Sequence, residues 1–125
     1  MQNSQKDFYK KLLGRIGEKQ AVKFLKKKGF QIIKTNYKTK LGEIDIIAKD
    51  NDTIVFIEVK TRKDSAFGTP AEAVNYKKQQ KYFLVASEYL QKTKQEEAIC
   101  RFDVVEIEKD GEKVQINHII NAFCM

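Results

Sequence analysis

The sequence predicts an α/β fold, a central mixed β-sheet flanked by α-helices in the order αβββαββ. Two observations carry this. Residues from about 7 to 28 repeat apolar positions at helical spacing, and five later segments rich in β-branched and aromatic residues read as strands. A single helical segment divides those strands into a group of three and a group of two, an order that implies a mixed sheet. The 125 residues suit one domain, 1–125 with its core over about 7–123, long enough to bury roughly two-thirds of the unfolded surface.

The first helix places Leu12 or Leu13, Ile16, Ala21, and Phe24 or Leu25 on its apolar face, and Gly29 after three lysines is a plausible stop. Residues 30–37 form the first strand, a turn at 39–41 leads into the second over 42–48, and the polar loop 49–52 precedes the third over 53–60. These three read as a meander. Thr69 can cap a second helix that begins at Pro70 and runs to about residue 91. Residues 101–107, a turn at 109–112, and 113–120 complete a second hairpin.

Composition excludes several classes. With 42% hydrophobic and 33% charged residues and one proline, the chain is neither disordered nor low-complexity. Its longest apolar run, Tyr82 to Ala86, is far too short to span a membrane, and its start lacks a signal-peptide core, so a cytoplasmic protein is expected. Cys100 and Cys124 form no CxxC pair and His118 is the only histidine, which argues against zinc and disulfide scaffolds. The net charge of +7 is localised: residues 1–63 carry +9 and residues 64–125 carry −2. A basic stretch running from Lys6 through Arg15, Lys19 and Lys28 to Lys38, Lys40, Arg62 and Lys63 suits a polyanion, although a lysine-rich helix is also an ordinary solvated face.

The informative residues are acids inside apolar strands. Ile54-Val55-Phe56-Ile57-Glu58-Val59-Lys60 is apolar on both faces, as a central strand covered on two sides would be. Glu58 continues the Ile54 and Phe56 face, and period two puts Lys60 beside it. Asp45 sits among Ile44, Ile46 and Ile47. An unpaired carboxylate there costs several kcal/mol or stays protonated, so a cation must face it. A hairpin register in which paired residue numbers sum to 103 sets Asp45 opposite Glu58, 101 makes them diagonal, and 102 sends them to opposite faces. The loop allows all three. An odd sum makes a site for a hard divalent cation; in any register the alternative is a buried ion pair, Glu58–Lys60 or Asp45–Lys78, that merely fixes the fold. Glu18 adds a third acid on the helical face of Ala21, while Lys78 and Gln79 add a cation and an amide.

Asp45 followed by Glu58-Val59-Lys60 resembles the acid and (D/E)-x-K tripeptide of the restriction-endonuclease-like nuclease superfamily, which includes archaeal Holliday-junction resolvases. The surrounding text is more specific. Gly42-Glu43-Ile44-Asp45-Ile46-Ile47-Ala48, Val55-Phe56-Ile57-Glu58-Val59-Lys60-Thr61-Arg62, Phe67-Gly68, Lys78-Gln79 and Cys100-Arg101-Phe102-Asp103-Val104-Val105 resemble, in order and spacing, the YraN family of small bacterial proteins. The resemblance runs from about residue 17 to 123 and implies a restriction-endonuclease-like fold. It further implies Asp45 as bridging ligand of Mg²⁺ or Mn²⁺, Glu58 as second ligand, the Val59 backbone carbonyl as a further one, and Lys60 beside the attacking water. Glu18 matches an assisting helix acid, and Lys78 and Gln79 a motif on the following helix.

The expected function is therefore metal-dependent hydrolysis of DNA phosphodiester bonds, with branched or recombination intermediates among the candidate substrates. Lys38, Lys40, Arg62 and Lys63 near the strand ends would hold the backbone without reading sequence. A junction-resolving enzyme needs two sites and hence a homodimer. The competing expectation is a non-catalytic nucleic-acid-binding accessory in recombination or repair. His118 reads as a plain strand residue, and Asp103 as a structural partner for Arg101.

Overall fold

The computed structural model describes residues 2–62 and 76–124, with side chains followed at Leu12 and from Gly14 onward. The elements are α1 (Gln2–Lys27), β1 (Gln31–Thr39), β2 (Gly42–Asp50), β3 (Thr53–Arg62), α2 (Tyr76–Lys92), β4 (Cys100–Asp110) and β5 (Lys113–Phe123). The strands form one sheet in the order β1-β2-β3-β4-β5. Neighbours are antiparallel except β3 and β4, which are parallel because α2 carries the chain back across one face. The expected mixed sheet, meander and second hairpin are borne out. The expected cap at Thr69 and helix start at Pro70 lie outside the described residues.

Gly29 ends α1 as its position predicts. Its φ of +95° suits a residue without a side chain, and the Phe30 and Gly29 amides donate to the carbonyls of Leu25 and Lys26, both at 3.0 Å. Two expectations for this helix need correction. It begins at Gln2 rather than near residue 7, since no proline or glycine before Gly14 interrupts a polar stretch that carries no apolar periodicity. Leu12 and Ile16 are exposed while Ala21 and Leu25 are fully buried, and Leu13, the other residue expected on the apolar face, lies outside the described side chains. Every strand also outruns its expected end by two or three residues. Hairpin pairing reaches the polar residues beside tight turns, at Asn51 (φ +54°) and Gly111 (φ +63°).

The sheet buries both faces. Ile44, Phe56, Tyr82, Val85, Tyr89 and Phe102 pack between it and α2, with Phe56, Phe102 and Phe123 stacked at ring separations of 5.4 and 5.3 Å. Ala21, Leu25, Ile46, Val55, Ile57 and Val105 pack on the α1 side. Ile54 to Ile57 are at most 1% exposed, so β3 is the doubly covered strand its composition predicts. Each such side chain contributes about 1.5–3 kcal/mol. Among the described residues, no helix is long and apolar enough to cross a membrane.

One irregularity positions the site. Pairing of β2 with β3 holds a sum of 103 from Asp50↔Thr53 to Ile46↔Ile57 and stops there. Beyond that point β2 stays paired to β1 as far as Gly42, and β3 stays paired to β4 as far as Arg62. The sheet therefore divides into a notch between β2 and β3. Asp45 and Glu58 are the next residues on its two sides, which resolves the open register in favour of a facing pair.

Candidate active site

The notch fixes both acids from the backbone outward. The Val59 amide donates to Asp45 Oδ2 at 2.8 Å, so the half-buried carboxylate replaces a strand partner where the ladder ends. Glu58 is 3% exposed and accepts hydrogen bonds from the Lys78 ammonium and the Tyr82 hydroxyl, with Lys60 Nζ 3.4 Å from the same Oε1 that Lys78 holds. The ion pairs considered for the fold thus form at Glu58. Lys78 pairs with Glu58 and reaches Asp45 only through its charge.

Electrostatics separates the two acids. Burial and the neighbouring Glu58 charge push Asp45 up to about 8, against the Val59 hydrogen bond. Burial pushes Glu58 the same way, but Lys78, Tyr82 and Lys60 outweigh it and hold that carboxyl below its ordinary value. Burial and the adjacent Lys78 lower the Lys60 ammonium, which Glu58 only partly offsets. Glu18 is raised by burial and by Glu43 and Glu58, with Asn36 opposing through a hydrogen bond. Two acids that cannot both ionise comfortably, beside a lysine whose charge is weakened, form a site poised for a further cation.

A cleft of about 360 Å³ opens here, and Glu18, Asp45, Glu58, Val59, Lys60 and Lys78 all line it. Arg62, Thr61, Gly14 and Lys109 also line it. Three elements thus meet: Glu18 comes from α1, the tripeptide from β3 and Lys78 from α2. Other expected residues stand elsewhere. Gln79, one residue on from Lys78, is half-buried and does not line the cleft. Lys38 and Lys40 are exposed at the end of β1 and in the turn after it, also outside the lining, although the charge of Lys38 reaches Glu18. Lys63 and Phe67 lie outside the described residues.

Sequence reasoning missed Tyr82, which belongs to the longest apolar run and is 1% exposed. Its signal was its place four residues after Lys78, on the same helical face. A second polar cluster was also underestimated. Asp103, fully buried, accepts from Arg101 Nε at 3.0 Å and from the Asn121 amide at 2.9 Å, and lies 2.8 Å from His118 Nε2. Lys28 donates to His118 Nδ1 at 2.8 Å, which leaves Nε2 to carry the proton toward Asp103. Arg101 also reaches Asp50 at 3.1 Å. Arg101 is thus the base expected for Asp103, and His118 is an interior fastening between α1 and the sheet.

The donor set suits a hard divalent cation. Among the described residues no three His, Cys, Asp or Glu side chains come close enough to hold a metal by themselves. Mg²⁺ commonly takes only one or two carboxylates and completes its shell with water and substrate phosphate, which is what an Asp45–Glu58 pair in an open cleft offers. A cation would also favour the ionised form of Asp45 that burial and the Glu58 charge disfavour.

Residues 17–107 match the model of the family described as "Uncharacterised protein family UPF0102". Similar proteins include a "UPF0102 protein" of Alkaliphilus oremlandii, 54% identical over 115 residues that cover 90% of this chain and 98% of the relative. Another, from Caldanaerobacter subterraneus, is 45% identical over 117 residues, covering 91% and 96%. A third, from Clostridioides difficile, is 49% identical over 113 residues, covering 88% and 95%. On these matches the chain belongs to the UPF0102 family, in agreement with the YraN resemblance of its motifs.

Proposed function

We propose that the protein is a metal-dependent endonuclease that hydrolyses DNA phosphodiester bonds on a restriction-endonuclease-like fold. The observation that carries this reading is the convergence of Asp45, Glu58 and Lys60 at the β2/β3 notch, with the acids facing each other at a register sum of 103. Asp45 and Glu58 would hold Mg²⁺ or Mn²⁺, with the Val59 carbonyl as a further ligand. When bound, the cation supplies an acidified water and counter-charge for the phosphate.

The chain's own residues do the positioning. The Val59 amide holds the Asp45 carboxylate in place. Tyr82 and Lys78 hold Glu58 from the α2 side, which fixes its carboxylate before substrate arrives. Lys60, at the mouth with 27% of its side chain exposed, is the group that would orient the attacking water or meet charge growing on the phosphate oxygens. Removing such a donor typically costs about 10²–10³ in kcat, the loss expected for Lys60→Ala. Glu18 and Arg62 border the cleft where substrate would lie. The same reading places the protein in the cytoplasm with its DNA, and as a homodimer if the substrate is branched.

A second reading, a non-catalytic nucleic-acid-binding accessory, draws on one observation: Lys78, Tyr82 and Lys60 already satisfy Glu58 without a metal. The test is cleavage of labelled duplex, branched, flapped and single-stranded DNA with Mg²⁺, Mn²⁺ or EDTA, by wild type and Asp45→Ala purified identically. Cleavage that needs metal and disappears in the variant is expected. Salt-dependent binding without cleavage in either protein would replace the nuclease reading with the accessory one.

A further inference from the structure

The central cleft does not end at its own walls. Glu18 also lines a second cleft of about 420 Å³ between α1 and β1, bordered by Arg15, Lys19, Thr35 and Asn36. Lys78 also lines a third, of about 400 Å³, bordered by Gly42, Glu43, Lys77 and Lys81. Because α1 and α2 cover opposite faces of the sheet, the two side clefts lie on opposite faces, and the β2/β3 notch joins them. Each shares one wall residue with the centre.

Charge is arranged along this trough in a definite order. The centre sets the acids Glu18, Asp45 and Glu58 among the cations Lys60, Arg62, Lys78 and Lys109, of which Lys60 and Lys78 are paired with Glu58 and Arg62 with Glu106. Arg15 and Lys19 flank one side and Lys77 and Lys81 the other; all four are exposed, and none makes an ion pair among the described residues. Because carboxylates already hold three of the central cations, the flanking pairs add the further binding energy that a phosphate backbone draws on.

We propose that a nucleic-acid strand runs through all three clefts, over Arg15 and Lys19 on the α1 side and over Lys77 and Lys81 on the α2 side, so that the bond in the notch is an internal one. This rests on the nuclease reading and adds the path of its substrate. A strand that passes over both pairs of cations presents an internal bond to the notch and needs no end there.

The experiment is metal-free binding of a labelled DNA single strand at several salt concentrations, with a closed single-stranded circle as competitor. Arg15→Gln/Lys19→Gln and Lys77→Gln/Lys81→Gln are each expected to weaken binding about tenfold and to lower the slope of log K against log salt by about 1.4, two contacts at about 0.7 each. Lys92→Gln/Lys94→Gln, exposed at the far end of α2, should leave both unchanged, and the circle should compete as well as the linear strand. Equal melting temperatures in the variants would separate lost binding from lost fold. Wild-type binding that neither flanking pair affects, that only one pair affects, or that all three pairs weaken alike overturns the path alone, as does a circle that fails to compete. A wild type that binds no nucleic acid overturns the nuclease reading together with the path.

Discussion

Asp45 and Asp103 are two acids of one sheet held in opposite states. Asp45 is raised to about 8 by burial and by Glu58, so between its unfolded value of 3.8 and about 8 the folded chain keeps a proton that the unfolded chain releases. Asp45's contribution to the stability of the metal-free protein therefore falls as pH rises through that window and levels off above it. Asp45→Asn removes the penalty. Its gain in melting temperature over wild type should be absent near pH 4, grow to about pH 8 and then stay constant, and Mg²⁺ should stabilise wild type but not the variant. Asp103 is the converse: burial would raise it, but His118, Arg101 and the Asn121 amide outweigh that and lower it. Its contribution is present above the ordinary value of 3.8 and is lost as pH falls through the lowered one. Asp103→Ala leaves Arg101 and His118 facing a void, and denaturant titration at neutral pH should show a loss of about 3–5 kcal/mol. Both acids stood out in the sequence because apolar neighbours flank them. Their states did not, because Glu58 and the Val59 amide meet Asp45, and His118 and Arg101 meet Asp103, only once the strands pair.

At the scale of elements, the seat of α1 on the sheet depends on a close approach. A side chain at Gly17 would run into the Thr61 hydroxyl, so with Thr61 in place the helix and β3 fit best with a glycine there. Gly17→Ala should cost about 1–3 kcal/mol through overpacking, and Thr61→Ala in the same chain should recover most of it. Thermal melts of the two single variants and the double variant check this. The same contact carries Glu18, the next residue of α1, into the cleft. Periodicity showed where this helix and the strands lie, and Ala21 and Leu25 are buried as it places them, but Leu12 and Ile16 are exposed. Apolar spacing reports the segment that packs and is silent about a polar helix continuing past the sheet. The register of β2 and β3 was equally hidden, since a polar loop permits odd and even sums. The observed 103 follows from the two-residue turn at Asn51 and Asp52.

For the whole molecule, a mixed sheet gives the site its form. Two antiparallel partners hold β2, one antiparallel and one parallel partner hold β3, and where the two part company a notch opens that both helices border. The acids, the tripeptide lysine and Lys78 were legible as residue types, and the strand order brings them into one cleft. Tyr82 and the side clefts were not, because they depend on which helix faces meet the sheet. The localised positive charge pointed to a polyanion without saying where it would lie.

On the proposed function, the facing pair Asp45 and Glu58 holds a hard divalent cation. Calorimetric titration of Mn²⁺ into metal-free wild type and into Asp45→Asn tests it most directly. Saturable binding to the wild type that is lost in the variant is the predicted result, whereas no binding, or equal binding by both proteins, would contradict the claim and leave the notch as a fold-fixing ion-pair cluster.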